Sequence, residues 1–146
     1  MIRLFEKKDA SAIYTINTMS HEKPEPNISL LTQIEGPYAE TWVSELDNKV
    51  VGFLITRQTI TGPSIMNNAF NVYNVAVDQQ YRNKGIASEL FKAFEEQYKG
   101  KGYAYLHVDA QNPAQKLYFD LGYRVKDIVP GFYGDKTIAL KMYKTL

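Results

Sequence analysis

The sequence predicts a mixed α/β fold, and three observations carry that reading. Stretches with strand and helix periodicity follow one another in the order βααβββαβαββ. Three strand-like runs are consecutive between Tyr38 and Val77, which does not fit a strict Rossmann alternation. A length of 146 residues fits one compact domain and leaves no room for two, so residues 1–146 are expected to form a single domain.

Each element has a local reason. Ile2–Glu6 reads as a short first strand, and Asp9 as the N-cap of a helix with Ala12, Ile13, Ile16 and Met19 on one face. Ser20–Asn27, with Pro24 and Pro26, breaks the pattern. A short helix around Ile28–Ile34 stops at Gly36-Pro37. Tyr38–Leu46 and Val50–Arg57 form a hairpin around Asp47-Asn48-Lys49. Thr59–Asn68, containing Gly62-Pro63, reads as a loop before the strand Phe70–Val77.

From Lys84 to Tyr98 the pattern is helical, because Ile86, Leu90, Phe94 and Tyr98 recur every fourth residue, and Gly100–Gly102 closes it. Tyr103–Asp109 is a strand. Asn112 and Pro113 then suit the N-cap and first position of a helix whose face is Ala114, Leu117, Tyr118 and Leu121, with Gly122 at its C-terminal cap. Tyr123–Val129 and Thr137–Lys144 are the last strands, around a turn at Pro130–Lys136.

Composition excludes several kinds of chemistry. The net charge is +1 with the two signs interspersed, so nothing drives the chain toward nucleic acid or an anionic membrane. There are no cysteines, which removes disulfides, thiolate metal sites and a cysteinyl acyl-enzyme. The two histidines, His21 and His107, are far apart in sequence, and no metal site is expected. His21 reads as a solvated loop residue. The N-terminus lacks a secretory apolar region and no apolar run nears ~18 residues, so a soluble cytoplasmic protein is expected.

The chemistry-bearing stretch is Tyr73–Ala87, a strand that turns into an amphipathic helix. The first turn of such a helix offers unpaired N–H groups and the positive end of the dipole, which suit a pyrophosphate. Gly85 lets phosphate oxygens approach the backbone, Ala87 keeps that side open, and Arg82 and Lys84 add charge. Neither GxxxxGK[ST] nor GxGxxG is present.

Val75–Leu90 resembles motif A of the GNAT N-acetyltransferases, whose signature is [Q/R]-x-x-G-x-[G/A]. Asn112–Tyr123 resembles the motif that follows it, N-x-x-A-x-x-L-Y-x-x-x-G-F/Y, and the element order matches along essentially the whole chain. The resemblance implies a six- or seven-stranded, mostly antiparallel sheet with flanking helices. It also implies that the strands Phe70–Val77 and Tyr103–Asp109 splay around acetyl-CoA. Val75, Ala76 and Val77 would pair with the pantetheine arm, while Arg82, Asn83, Lys84, Gly85, Ile86 and Ala87 would hold the pyrophosphate.

Acetyl transfer to an amine needs a neutral nucleophile, an oxyanion donor and a partner for the leaving thiolate. A backbone N–H near Val75–Val77 is the implied oxyanion donor. Tyr118 stands at the family's tyrosine position and can serve the thiolate; its place on an apolar face equally suits packing. His107, mid-strand and facing away from Leu106 and Val108, is the candidate base or a hydrogen-bonded core histidine. The subset acting on protein N-termini often has Glu or His there, and Tyr73 can instead hold a water or the acceptor.

Asn112 to Tyr118 is one residue shorter than the motif, so either Asn112 or Gln111 reaches the pantetheine. Phe132-Tyr133 followed by Ala139–Met142 resembles the ending of ribosomal-protein and other N-terminal acetyltransferases, where a tyrosine pair lines the peptide slot. Here Phe132 replaces the first tyrosine and Ile138 an acidic residue. A terminal α-amine, with a pKa of about 7.7–8.0, is roughly a tenth to a sixth neutral at pH 7, against about one part in 2,500 for lysine. A weak base thus suffices more readily for a protein or peptide α-amine, the leading acceptor. A polyamine, amino acid or aminoglycoside is the runner-up, and a CoA-binding module without turnover is the alternative of a different class.

Overall fold

The computed structural model describes residues 1–21, 27–60 and 68–146. Its elements are β1 (Ile2–Leu4), α1 (Ala10–Ser20), α2 (Asn27–Glu35), β2 (Ala39–Leu46), β3 (Lys49–Ile60) and β4 (Asn68–Val77). They continue with α3 (Ile86–Gln97), β5 (Gly102–Asp109), α4 (Gln115–Asp120), β6 (Arg124–Pro130) and β7 (Ile138–Thr145). This is the predicted order. The strands form a seven-stranded mixed sheet in the order β1-β2-β3-β4-β5-β7-β6. The β4–β5 ladder is parallel and covers four pairs, Asn68↔Gly102 to Asn71↔Tyr105. The ladders of β1–β2, β2–β3, β5–β7 and β6–β7 are antiparallel.

Two compact units divide the chain: Met1–Gln58 with Val72–Gln97, and Thr59–Asn71 with Tyr98–Leu146. In the first, Ile13 and Ile16 of α1 and Leu30 and Ile34 of α2 pack with Val43, Val50, Phe53, Ile55 and Ala76. On α3, Ile86, Leu90, Phe91 and Phe94 are buried, and the helix lies against β1 and β2. The β2–β3 hairpin turns on Asp47 and Asn48, both with positive φ (50° and 63°), as a type I′ turn needs. Lys49 belongs to β3 and not to the turn.

In the second unit Ala104, Leu106 and Val108 of β5 are buried together with Met142 of β7. The opposite face of β5 carries Tyr103, Tyr105 and His107, which are half-buried. That alternation is the predicted one. Gly102 is required where β5 meets β4, because a Cβ there would collide with the Asn68 carbonyl.

Several expected boundaries and faces move. Strand β3 runs on to Ile60 and β4 begins at Asn68, so both ends of the expected Thr59–Asn68 loop are strand. Gly62-Pro63 and the prolines Pro24 and Pro26 lie outside the described residues. Met19 is exposed on α1 while Asn17 is completely buried; a period of 3.6 from Ile13 and Ile16 falls on position 17.

Asp9 precedes α1, but its side chain does not cap it. Its carboxylate takes both Arg3 guanidinium nitrogens at 2.8 and 2.9 Å and the Glu6 N–H at 2.8 Å. Glu45 accepts from Arg3 Nε at 2.6 Å. The ion pair wins over the cap because a buried carboxylate with a bidentate arginine is the stronger arrangement.

Asp9 is only 3% exposed, and the Arg3 hydrogen bonds hold its pKa below the usual carboxylate range. A depressed folded-state pKa gives stability that is complete above the unfolded value, about 3.9, and is lost as pH falls through the folded one. Asp9→Ala should cost roughly 2–4 kcal/mol, because Arg3 loses its bidentate partner and keeps only Glu45 and Glu6 as ion-pair partners, and the Glu6 N–H loses its acceptor. Urea unfolding at pH 7 and pH 3 should show that cost shrinking in acid.

Candidate active site

The first unit contains the strand-to-helix turn. Strand β4 ends at Val77, a single 3₁₀ turn covers Gln79–Tyr81, and α3 starts at Ile86, two residues later than expected. The delay has a backbone cause. Asn83 (φ 61°) and Gly85 (φ 79°) are left-handed, a conformation no helix continues through. The first helical hydrogen bond runs from Glu89 N–H to the Gly85 carbonyl, so the N–H groups before it have no partner within the helix. Arg82, Asn83, Lys84 and Gly85 are exposed, Ile86 is buried and Ala87 is half-buried. Nothing stands within 4 Å of where a Gly85 Cβ would be. An open left-handed glycine before a twelve-residue helix leaves room for a pyrophosphate, and these residues fit one.

Arg82 is held by a hydrogen bond from its Nε to the Val77 carbonyl, 3.1 Å. Lys84 lies 5.5 Å from the Tyr81 ring centroid. Val75 and Val77 are half-buried and Ala76 is buried, with the Ala76 carbonyl closely packed on Gly52.

A polar network that the sequence did not reveal flanks this strand. His21 is half-buried, not a solvated loop residue, and its Nε2 lies 3.0 Å from Asn74 Oδ1. Asn74 Nδ2 donates to Asn17 Oδ1 at 3.1 Å, so its oxygen faces His21 and His21 Nε2 carries the hydrogen. Gln33 Nε2 donates to the Tyr73 hydroxyl at 3.1 Å, and Arg57 lies over the Tyr73 ring at 5.9 Å. Gln33 Oε1 is buried with no hydrogen-bond partner. The available signal was a polar residue at a core position of α1, Asn17, and its cross-chain partners are invisible to periodicity.

The second unit gathers four of the expected residues. His107 stacks on Phe132 with ring centroids 4.1 Å apart and planes 6° from parallel. Tyr133 is edge-on to Phe132, and its hydroxyl donates to the His107 carbonyl at 2.9 Å. The 131–137 turn is thereby tied to β5. Burial, and secondarily the Lys141 charge, hold the His107 pKa below its usual value, so the ring is neutral at pH 7. Burial, with the nearby Tyr133 phenol, pushes the Tyr118 hydroxyl up to about 12.

Asn112 lies in the turn after β5 and helix α4 begins only at Gln115. Asn112 Oδ1 still accepts from the Ala114 N–H at 2.9 Å, a capping bond for the turn that leads in. Gln111 donates its N–H to Asp109 Oδ1. The expected buried face of α4 is only half-buried. Among the described residues no group of three or more His, Cys, Asp or Glu side chains can hold a metal, and no helix is long and apolar enough to cross a membrane.

Residues 10–123 match the acetyltransferase (GNAT) family. The chain is 30% identical to an uncharacterised N-acetyltransferase of Methanocaldococcus jannaschii, over 99% of this chain and 90% of that protein. It is 28% identical to an N-alpha-acetyltransferase of Saccharolobus solfataricus, over 94% and 88% of the two chains. Among solved structures it is similar to Arabidopsis thaliana NAA60 in complex with acetyl-CoA. That match has a TM-score of 0.84 and 20% identity, and it covers all of this chain and 98% of that one.

Phe132 is the cover that desolvates His107. Phe132→Ala should raise the His107 ring titration midpoint toward the free value near 6.5. Proton NMR reads this directly, since His21 is the only other histidine.

Proposed function

Because the chain belongs to the acetyltransferase (GNAT) family, an acetyl-CoA-dependent N-acetyltransferase, we propose that its acceptor is the α-amine of a protein or peptide. The observation that carries this reading is the His107–Phe132–Tyr133 assembly. A neutral imidazole bounded by aromatic rings suits an amine that is already partly neutral near pH 7. The similarity to an N-alpha-acetyltransferase over nearly the whole chain supports the same acceptor class.

Acetyl-CoA supplies an activated thioester. The residues expected to hold it are Val75, Ala76 and Val77 along the strand and Arg82–Ala87 at the head of α3, with Asn112 as a further contact. His107 accepts the proton released as the amine attacks directly, and Tyr73, Phe132 and Tyr133 bound the acceptor.

Tyr118 has a defined part. A phenol pushed up to about 12 stays protonated throughout the working pH range. Full proton transfer to a thiolate, whose conjugate acid has a pKa near 8.5, is uphill by roughly three units. The phenol therefore stabilises the leaving sulfur by donating a hydrogen bond, and the thiolate leaves as the anion or takes its proton from water.

Thiol release from acetyl-CoA, followed with peptides bearing free or blocked N-termini and with small amines, tests the acceptor. Release with free α-amines alone is the expected result. Release only with small amines overturns the peptide reading, and tight CoA binding without release for any acceptor favours a non-catalytic module.

Tyr118→Phe should lower kcat by about ten- to a hundredfold with little change in CoA affinity. Gly85→Val should weaken CoA binding at least tenfold by calorimetry, since its side chain covers the free N–H groups. Its cost to folding should be at least about 1–2 kcal/mol, set by the left-handed backbone at φ 79° and not by crowding, since nothing stands within 4 Å of the added Cβ.

A further inference from the structure

The β5–β7 register sets Lys141 directly across from His107, on the same face of the ladder. Lys141 Nζ lies 4.8 Å from the Tyr105 ring centroid and 5.2 Å from that of Tyr143. Two aromatic faces restrict a side chain that is ordinarily mobile. A hydrogen bond with the Tyr143 side chain raises the Lys141 pKa, so the ammonium stays charged.

No carboxylate among the described residues closes an ion pair with it. Asp127 stands opposite on β6 without reaching it, and Asp109, further along β5, turns Oδ1 to the Gln111 N–H. The Lys141 charge also bears on the His107 ring. The result is a restrained cation with no close ion-pair partner among the described residues, acted on only through space by the Asp127 charge, beside the candidate base.

We propose that Lys141 is a specificity-determining residue, a fixed positive charge that favours acceptors with an acidic group next to the reacting amine and disfavours those with a second cation. The inference rests on His107 receiving the acceptor amine. A base must come within about 2.6–3.2 Å of the group it deprotonates. Residues directly opposed in an antiparallel ladder have Cα atoms only about 4.5–5.5 Å apart. An acceptor amine at His107 thus brings its neighbouring side chain within roughly 10 Å of Lys141, about one Debye length in 0.1 M salt. At such a distance, reversing the neighbour's charge changes the rate on the order of tenfold when the site is partly shielded from water.

Three peptides of equal length, with Asp, Ala or Lys as second residue, test this through kcat/KM for wild type, Lys141→Met and Lys141→Arg. The wild type should prefer Asp over Lys by on the order of tenfold at low salt, and by about twofold or less in 1 M salt. Lys141→Met should reduce the low-salt ratio to about twofold, and Lys141→Arg should retain it. A ratio unchanged by Lys141→Met, or a wild-type ratio indifferent to salt, overturns the proposal. The salt series decides the matter if Lys141→Met fails to fold.

If only small amines are turned over, the peptide reading fails by itself. The same comparison is then made with an ω-amino acid, a neutral amine and a diamine of matched length; the same order upholds the charge filter and its absence overturns it. No turnover with any acceptor overturns both.

Discussion

Seven residue pairs, Tyr103↔Thr145 to Asp109↔Ala139, join β5 to β7, and side chains along a strand alternate with a period of two. That register decides which residues of both strands become core and which become chemistry. Ala104, Leu106 and Val108 are directed inward with Met142. Tyr105, His107, Lys141 and Tyr143 are left on the other face, where the lysine meets both tyrosine rings and the histidine meets Phe132. A slip of one residue would bury His107 and Lys141 and expose the apolar set, so packing energy holds the register that the site needs. The tie from Tyr133 to the His107 carbonyl then fixes the turn against the strand and needs only the backbone of position 107 to be in place.

The first unit carries the candidate anion site, and its backbone presents it without net positive charge. Two left-handed residues, Asn83 and Gly85, bend the chain so that α3 begins with its N–H groups exposed. The apolar face of α3, from Ile86 to Phe94, is buried and anchors the helix behind that turn. Arg82 is restrained by its own hydrogen bond to Val77, so its charge is held near the turn instead of being dispersed in solvent. Local backbone geometry thus replaces a basic surface, consistent with a chain whose overall charge is only +1.

What the sequence disclosed and what it hid divide along range. The hairpin at Asp47-Asn48, the alternation of β5 and the apolar stripe of α3 follow from residues close in sequence, and each was legible. The turn before α3 was legible in place but not in length, because Lys84 and Gly85 read as helix and the left-handed Asn83 and Gly85 keep them out of it. The start of α4 was misplaced since Asn112 caps a lead-in turn, and a propensity pattern does not distinguish that from the helix proper. Asp9 was misassigned because its bond to Arg3 crosses from strand to helix and outweighs the local cap. The His21–Asn74–Asn17 chain joins residues more than fifty positions apart and leaves no periodic trace.

The electrostatic character of the two tyrosine-rich groups in the second unit follows from the same separation of faces. Tyr118 is desolvated and stays protonated, while Lys141 lies over the rings of Tyr105 and Tyr143 and also hydrogen-bonds the Tyr143 side chain. His107 stacks on Phe132 on one side, stands edge-on to Tyr105 and has Lys141 across the ladder. Desolvation by Phe132 and charge from Lys141 act in the same direction on the imidazole, keeping it neutral. The β5 register and the stack on Phe132 together set where the ring stands.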